Sequence, residues 1–164
     1  MARGRADIAN TALRIFFQEM GAAYDGEERG LRSYNGSRDF ARVREFFEDR
    51  CCYCGADLAD TQVAQDHLIP MNKAALGLHA WGNIVPACSS CNAKKQGNEW
   101  HAFLALRAGT NTAERYKKID AYVKHYKYAP TKDLRTVAED LYAEVGSITM
   151  TLIGVKVARV RDSL

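Results

Sequence analysis

Five cysteines occupy two tight groups in this 164-residue chain, Cys51-Cys52-Tyr53-Cys54 and Cys88-Ser89-Ser90-Cys91. Cys51 with Cys54, and Cys88 with Cys91, each make a C-x2-C pair, and a turn of that length brings two thiolates to one side of the backbone. Four sulfurs complete a tetrahedral shell for Zn²⁺, whereas bridge-forming cysteines are usually scattered. Cys52 stands one residue too close to Cys54 to share the knuckle, and we leave it out of the shell as a buried or idle thiol. A closed four-sulfur shell has no vacancy for water or substrate, so this zinc is expected to staple structure. Chemistry must then come from nearby residues: Asp66-His67 between the clusters, and Asn92 beyond the second. His67 offers a base with an ordinary pKa near neutrality. Asp66 and Asn92 each offer a hard oxygen suited to Mg²⁺ or Mn²⁺, and two protein ligands leave such an ion open to substrate.

In order and spacing, Cys51-x2-Cys54, Asp66-His67-Leu68-Ile69-Pro70, Asn83 and Cys88-x2-Cys91-Asn92-x2-Lys95 together resemble the zinc-stapled HNH endonucleases over about residues 46–98. The resemblance implies a metal-dependent phosphodiester hydrolase in which His67 is the general base, Asp66 and Asn92 hold the catalytic ion, and Asn83 braces the loop that orients the base. Those roles match what the reaction needs: deprotonation of water, neutralisation of charge growing on the phosphate, and stabilisation of the departing oxygen. Lys95, one helical turn beyond Asn92, is expected to reach a phosphate, helped by the positive end of its helix. Lys94, Lys73 and Arg44 are further candidate nucleic-acid contacts. His79 and His101 match no motif position and are read as structural or solvent-facing. DNA is the expected partner, with RNA left open, and a restriction or defence role follows from the family alone. One site cuts one strand, so double-strand cleavage would take a homodimer or two nicks. The competing class is a zinc-stapled module that grips nucleic acid without cutting it.

These residues must be positioned by short elements. Thr61 to Leu68 favours a strand ended by Pro70, and Asn83 to Ala87 a second, joined by an elongated connection. Adjacent strand residues point to opposite faces, so Asp66 and His67 can serve one phosphate only where the strand is ending or twisted. Ser89 or Ser90 can cap a helix through Asn92 and Lys95, and Trp100, Phe103 and Leu104 mark another. Upstream, Ile8, Ala12, Leu13, Phe16, Phe17 and Met20 form an amphipathic stripe. Glycines 21, 26, 30 and 36 then suggest a long loop or partly mobile linker, before a helix from Ser37 carrying Phe40, Val43, Phe46 and Phe47. Downstream, Ile119, Tyr122, Val123 and Tyr126 form one helical stripe and Leu134, Val137, Leu141, Tyr142 and Val145 the next, separated by Pro130. Tyr122 and Tyr126 are therefore expected as core positions and the interleaved lysines as a solvated face, the alternative being a segment that pairs with phosphates and stacks on bases. Residues 148–160 are β-branched and ambiguous between a strand and a buried helix.

The expected class is α+β, mainly helical, around a ββα-metal motif. One domain spans 1–164: a core at 46–98, an N-terminal helical flank and loop at 1–45, and a C-terminal helical flank at 99–164. Hydrophobic content of 47% and charged content of 26% are those of a folded chain. No uninterrupted apolar run approaches a membrane span, and Met1-Ala2-Arg3-Gly4-Arg5 is not followed by the apolar core of a secretory signal, so a cytoplasmic location without membrane contact is expected. A net charge of +3 permits a polyanionic partner without demanding one.

Overall fold

A computed structural model describes residues 4–59, 62–107, 111–130 and 133–162; Met1 to Arg3 and the expected strand start at Thr61 lie outside them. Helix α1 (Arg5–Ala23) buries Ala9, Leu13, Phe17 and Gly21 along one i, i+4 line. The other predicted stripe residues, Ile8, Ala12, Phe16 and Met20, flank that line half-buried.

The expected loop after Gly21 is not a loop at its start. The helix continues to Ala23 and then widens into a π-type turn at Tyr24–Glu28. The segment is tied by polar groups that apolar periodicity does not register. Asp25 is fully buried, ion-paired with Arg29, and accepts a hydrogen bond from the Tyr34 backbone N–H at 3.0 Å. Arg29 in turn donates to the carbonyls of Trp81 at 3.0 Å and Tyr126 at 2.5 Å. Removing one partner of such a buried pair strands the other charge, which costs about 3–5 kcal/mol. Residues 24–34 are thereby fastened to the body of the protein.

Helix α2 (Gly36–Phe46) starts one residue before the predicted cap and buries Val43, with Phe47 buried just beyond its end. Strands β1 (Val63–His67) and β2 (Ile84–Cys88) form an antiparallel pair in which Asp66 faces Val85 and His67 faces Ile84. Helix α3 (Ser89–Lys95) follows β2 without a break, completing a strand-strand-helix unit; Cys88, and not the expected Ser89 or Ser90, stands at its N-cap, with no side-chain cap hydrogen bond. Helices α4 (Trp100–Arg107) and α5 (Thr112–His125) cover the unit, with Trp100, Leu104, Ile119 and Tyr122 joining Val43, Phe47, Tyr53 and Ile84 in one apolar cluster. A second cluster joins Leu13 and Phe17 of α1 to Leu78, Tyr128, Leu134 and Ala138. The fold is α+β and mainly helical, with a two-stranded sheet at its centre.

Helix α6 (Arg135–Arg161) resolves the ambiguity of the C-terminal segment differently from either expectation: residues 148–160 continue the helix and, apart from half-buried Thr149, are exposed. Its 27 residues and mean hydropathy of 1.3 over the most apolar stretch make it long and apolar enough to cross a membrane. Counting uninterrupted apolar residues missed this, because scattered Ser, Thr and Gly and single basic residues break a run without making a helix polar.

Helix α1 meets the β1–β2 connection at very close range. The His79 backbone N–H donates to the Phe17 carbonyl at 3.2 Å, and a Cβ added at Gly21 would lie 2.3 Å from the His79 oxygen. Gly21→Ala is therefore expected to force these backbones apart and lower stability by about 1–3 kcal/mol in urea unfolding. Gly154→Ala, with open space around it, should be neutral or mildly stabilising. Equal stability of Gly21→Ala and wild type would remove this approach as a constraint on the fold.

Candidate active site and metal centre

The first knuckle turns on hydrogen bonds from Cys51 N–H to the Ala56 carbonyl at 2.8 Å and from Gly55 N–H to the Cys51 carbonyl at 2.9 Å. A bond from Cys52 N–H to the Pro86 carbonyl at 2.9 Å pins it to β2. Strand β2 delivers Cys88 as its last residue, and the first turn of α3 brings back Cys91. All four ligand sulfurs lie within 4.8 Å of one another, and those of Cys54 and Cys88 are 3.9 Å apart. Thiolates bound at about 2.3 Å around one tetrahedral ion sit about 3.8 Å from each other, so the cluster is a metal site of the right size and donor type. Cys52 is buried outside it.

The second group gathers at the end of β1. Asp66, His67 and Asn92 line one polar cavity of about 520 Å³, together with Arg14, Asn72 and Gln96 among others. Strand alternation does not separate Asp66 from His67 here because β1 stops at His67, and the cavity opens at the strand's end, where the chain turns towards Pro70. The two hard oxygens expected for a divalent ion therefore share an open pocket with an imidazole.

Asp66 is only 8% exposed and is held from behind. Its Oδ2 accepts a hydrogen bond from the Tyr53 hydroxyl at 2.5 Å and lies 3.3 Å from Lys95 Nζ. Lys95 is fully buried and also donates to the His67 carbonyl at 2.6 Å. This corrects the reading of Lys95 as a phosphate contact: its ammonium faces the interior, under the strand end, and is occupied in fixing Asp66 and the His67 backbone. The physical reason was available in the spacing. Lys95 stands four residues after Cys91, hence on the same inward face of α3.

Asn83 is fully buried behind the site. Its Nδ2 donates to the carbonyls of Leu78 at 2.8 Å and Ile69 at 3.1 Å, while its Oδ1 accepts from Ile69 N–H at 2.8 Å. It thus closes the loop that leaves His67, without lining the cavity.

His67 is half-buried, and its Nε2 lies 3.0 Å from Nδ1 of His79. Burial, reinforced by His79, Lys95 and Arg14, pushes the His67 pKa down to about 3 and keeps the ring neutral. Burial and the charge of Arg14 also lower the His79 pKa. His79 was set aside because it matches no motif position, yet it makes direct contact with His67 and meets the Tyr34 ring edge-on with centroids 5.1 Å apart. His101 lies outside the cavity, exposed and stacked on Trp100.

The remaining basic candidates do not converge. Lys94 borders a separate cleft with Phe103 and Leu106, Lys73 sits 4.2 Å from the centroid of the Tyr142 ring, and Arg44 pairs with Asp49 at 2.6 Å. Three side chains missed by sequence reasoning contribute instead: Tyr53 inside the first knuckle, His79 in the connection, and Arg14 far upstream on α1. Only His79 carried a signal, as a histidine in the segment joining the two strands.

The buried Asp66–Lys95 pair makes a direct prediction. Lys95→Ala leaves the carboxylate under-compensated in a dry site and should lower unfolding free energy by about 3 kcal/mol. A solvent-facing phosphate contact would change it by less than about 0.5 kcal/mol, so denaturant titration separates the two roles.

Residues 51–104 match the family model for HNH endonuclease, covering both knuckles, the strand pair, α3 and the start of α4. No match was found among curated proteins or among solved structures. This segment, which carries the four-cysteine metal site, is what the chain shares with the HNH endonucleases.

Proposed function

We propose that the chain is a nuclease that hydrolyses phosphodiester bonds in DNA, with zinc in its four-cysteine cage and Mg²⁺ or Mn²⁺ at Asp66 and Asn92. The observation that carries this reading is the convergence of an imidazole, a carboxylate and an amide on one open polar cavity beside the cage. A divalent ion held there supplies positive charge to the scissile phosphate and the departing oxygen.

The protein's own groups divide the rest of the work. His67 brings an imidazole to the cavity, where its free ring nitrogen can take a proton from water. In this reading Nε2–H of His67 donates to Nδ1 of His79, which leaves the lone pair on His67 Nδ1. Once His67 has taken the proton, that hydrogen bond is to a cation and strengthens. His79 acts as a positioning residue, Tyr53 and Lys95 fix the Asp66 carboxylate, and Asn83 fixes the loop behind the base.

Supercoiled plasmid incubated with Mg²⁺ or Mn²⁺ should be nicked by the wild-type protein, and not in EDTA. His67→Ala should reduce nicking at least about 100-fold, the size of a general-base contribution, while retaining its metal content. Full nicking by that variant would remove His67 from the reaction. Binding of plasmid without metal-dependent nicking would identify a binding module, and cleavage confined to RNA would correct the substrate.

The cage makes a separate prediction. Metal analysis should find one zinc per chain, and its removal by a strong chelator should lower the melting temperature by more than about 10 °C, since structural zinc binding is coupled to folding. Folded protein purified without zinc would overturn the assignment.

A further inference from the structure

With Lys95 buried, the cavity needs another source of positive charge to receive a phosphate, and it has one outside the family segment. Arg14 is exposed on α1, thirty-seven residues upstream of Cys51, and lines the same cavity as Asp66, His67 and Asn92. Among the described residues it is the one lysine or arginine lining that cavity. We propose that Arg14 is the phosphate-binding residue of this site, its guanidinium gripping non-bridging oxygens of the nucleic-acid backbone beside the scissile bond. The proposal rests on the nuclease reading above and adds the part that the family segment lacks.

Two independent observations support it. First, Arg14 has no neutralising partner: the residues one turn away on its own helix are Asn10, Thr11, Phe17 and Gln18, and no ion pair joins it to a carboxylate among the described residues. A surface arginine without a carboxylate is available to an anion, and the planar fork of guanidinium matches two phosphate oxygens at once. Second, its place is fixed by backbone contacts. The Phe17 carbonyl accepts from His79 N–H, and Gly21 lies against the His79 carbonyl, so α1 is locked to the segment that carries the partner of the general base. Arg14 stands one turn before Phe17, beside the buried line of Leu13 and Phe17, which turns its side chain along the flank of α1 to the cavity.

The test uses the full chain with its metals. Arg14→Gln and Arg14→Lys are compared with wild type in metal-dependent plasmid nicking. In the His67→Ala background, with and without Arg14→Gln, duplex DNA affinity is measured by fluorescence anisotropy over a range of salt. Because Arg14 is exposed, melting temperature and zinc content should not change, which separates the effect from misfolding. Arg14→Gln should nick about 100-fold more slowly, the loss expected for one donor to developing charge, and Arg14→Lys should recover only part of that. Loss of one phosphate contact should reduce the slope of log affinity against log salt by about 0.9. Wild-type nicking rate and unchanged salt slope in Arg14→Gln would overturn the proposal while leaving the nuclease reading intact. If wild type binds DNA without nicking but Arg14→Gln still lowers the slope, the nuclease reading fails and the phosphate grip stands. Wild-type protein that neither binds nor nicks overturns both.

Discussion

Four sulfurs from two segments more than thirty residues apart must meet within bonding reach of one ion, and the rest of the site depends on that closure. The knuckle at Cys51–Cys54 hangs from β2 by a single backbone hydrogen bond, while Cys88 and Cys91 bracket the junction of β2 and α3. Without an ion, four thiols crowded within a few ångströms offer little attraction. With one, structural thiolate sites gain about 10–16 kcal/mol, comparable to the whole stability of an ordinary domain. The cage therefore sets the angle at which α3 leaves the sheet, and with it the distance of Asn92 from the end of β1.

A second constraint converts that scaffold into a site. The cavity needs a carboxylate facing outward, but Asp66 is nearly buried, and a buried carboxylate without compensation would sooner take up a proton or leave the interior. Tyr53 and Lys95 provide the compensation from beneath. Both come from the metal-binding elements, Tyr53 from within the first knuckle and Lys95 from one turn past Cys91. The four-cysteine cluster and the cavity carboxylate are thus coupled through two side chains.

The flanking elements also have a physical part. Helix α1 packs against the β1–β2 connection closely enough that only glycine fits at position 21, and that contact holds the backbone of His79, the partner of His67. The buried Asp25–Arg29 pair anchors the segment after α1 to the carbonyls of Trp81 and Tyr126, fastening the same connection from the other side. A family segment of about fifty residues is in this way seated in a frame that it does not encode.

Spacing along the chain was enough to determine the two knuckles and the strand-strand-helix order, because metal-ligand geometry and local periodicity act over a few residues at a time. Burial and distant contact were decided only in three dimensions. Lys95 looked like a surface cation and is an interior one, His79 looked incidental and touches His67, and Arg14 gave no local sign of its place at the cavity. The segment after α1 looked like a linker because its order comes from one buried ion pair and not from an apolar repeat. Each of these depends on which helix face meets which loop, a property of the assembled chain that no window of sequence contains.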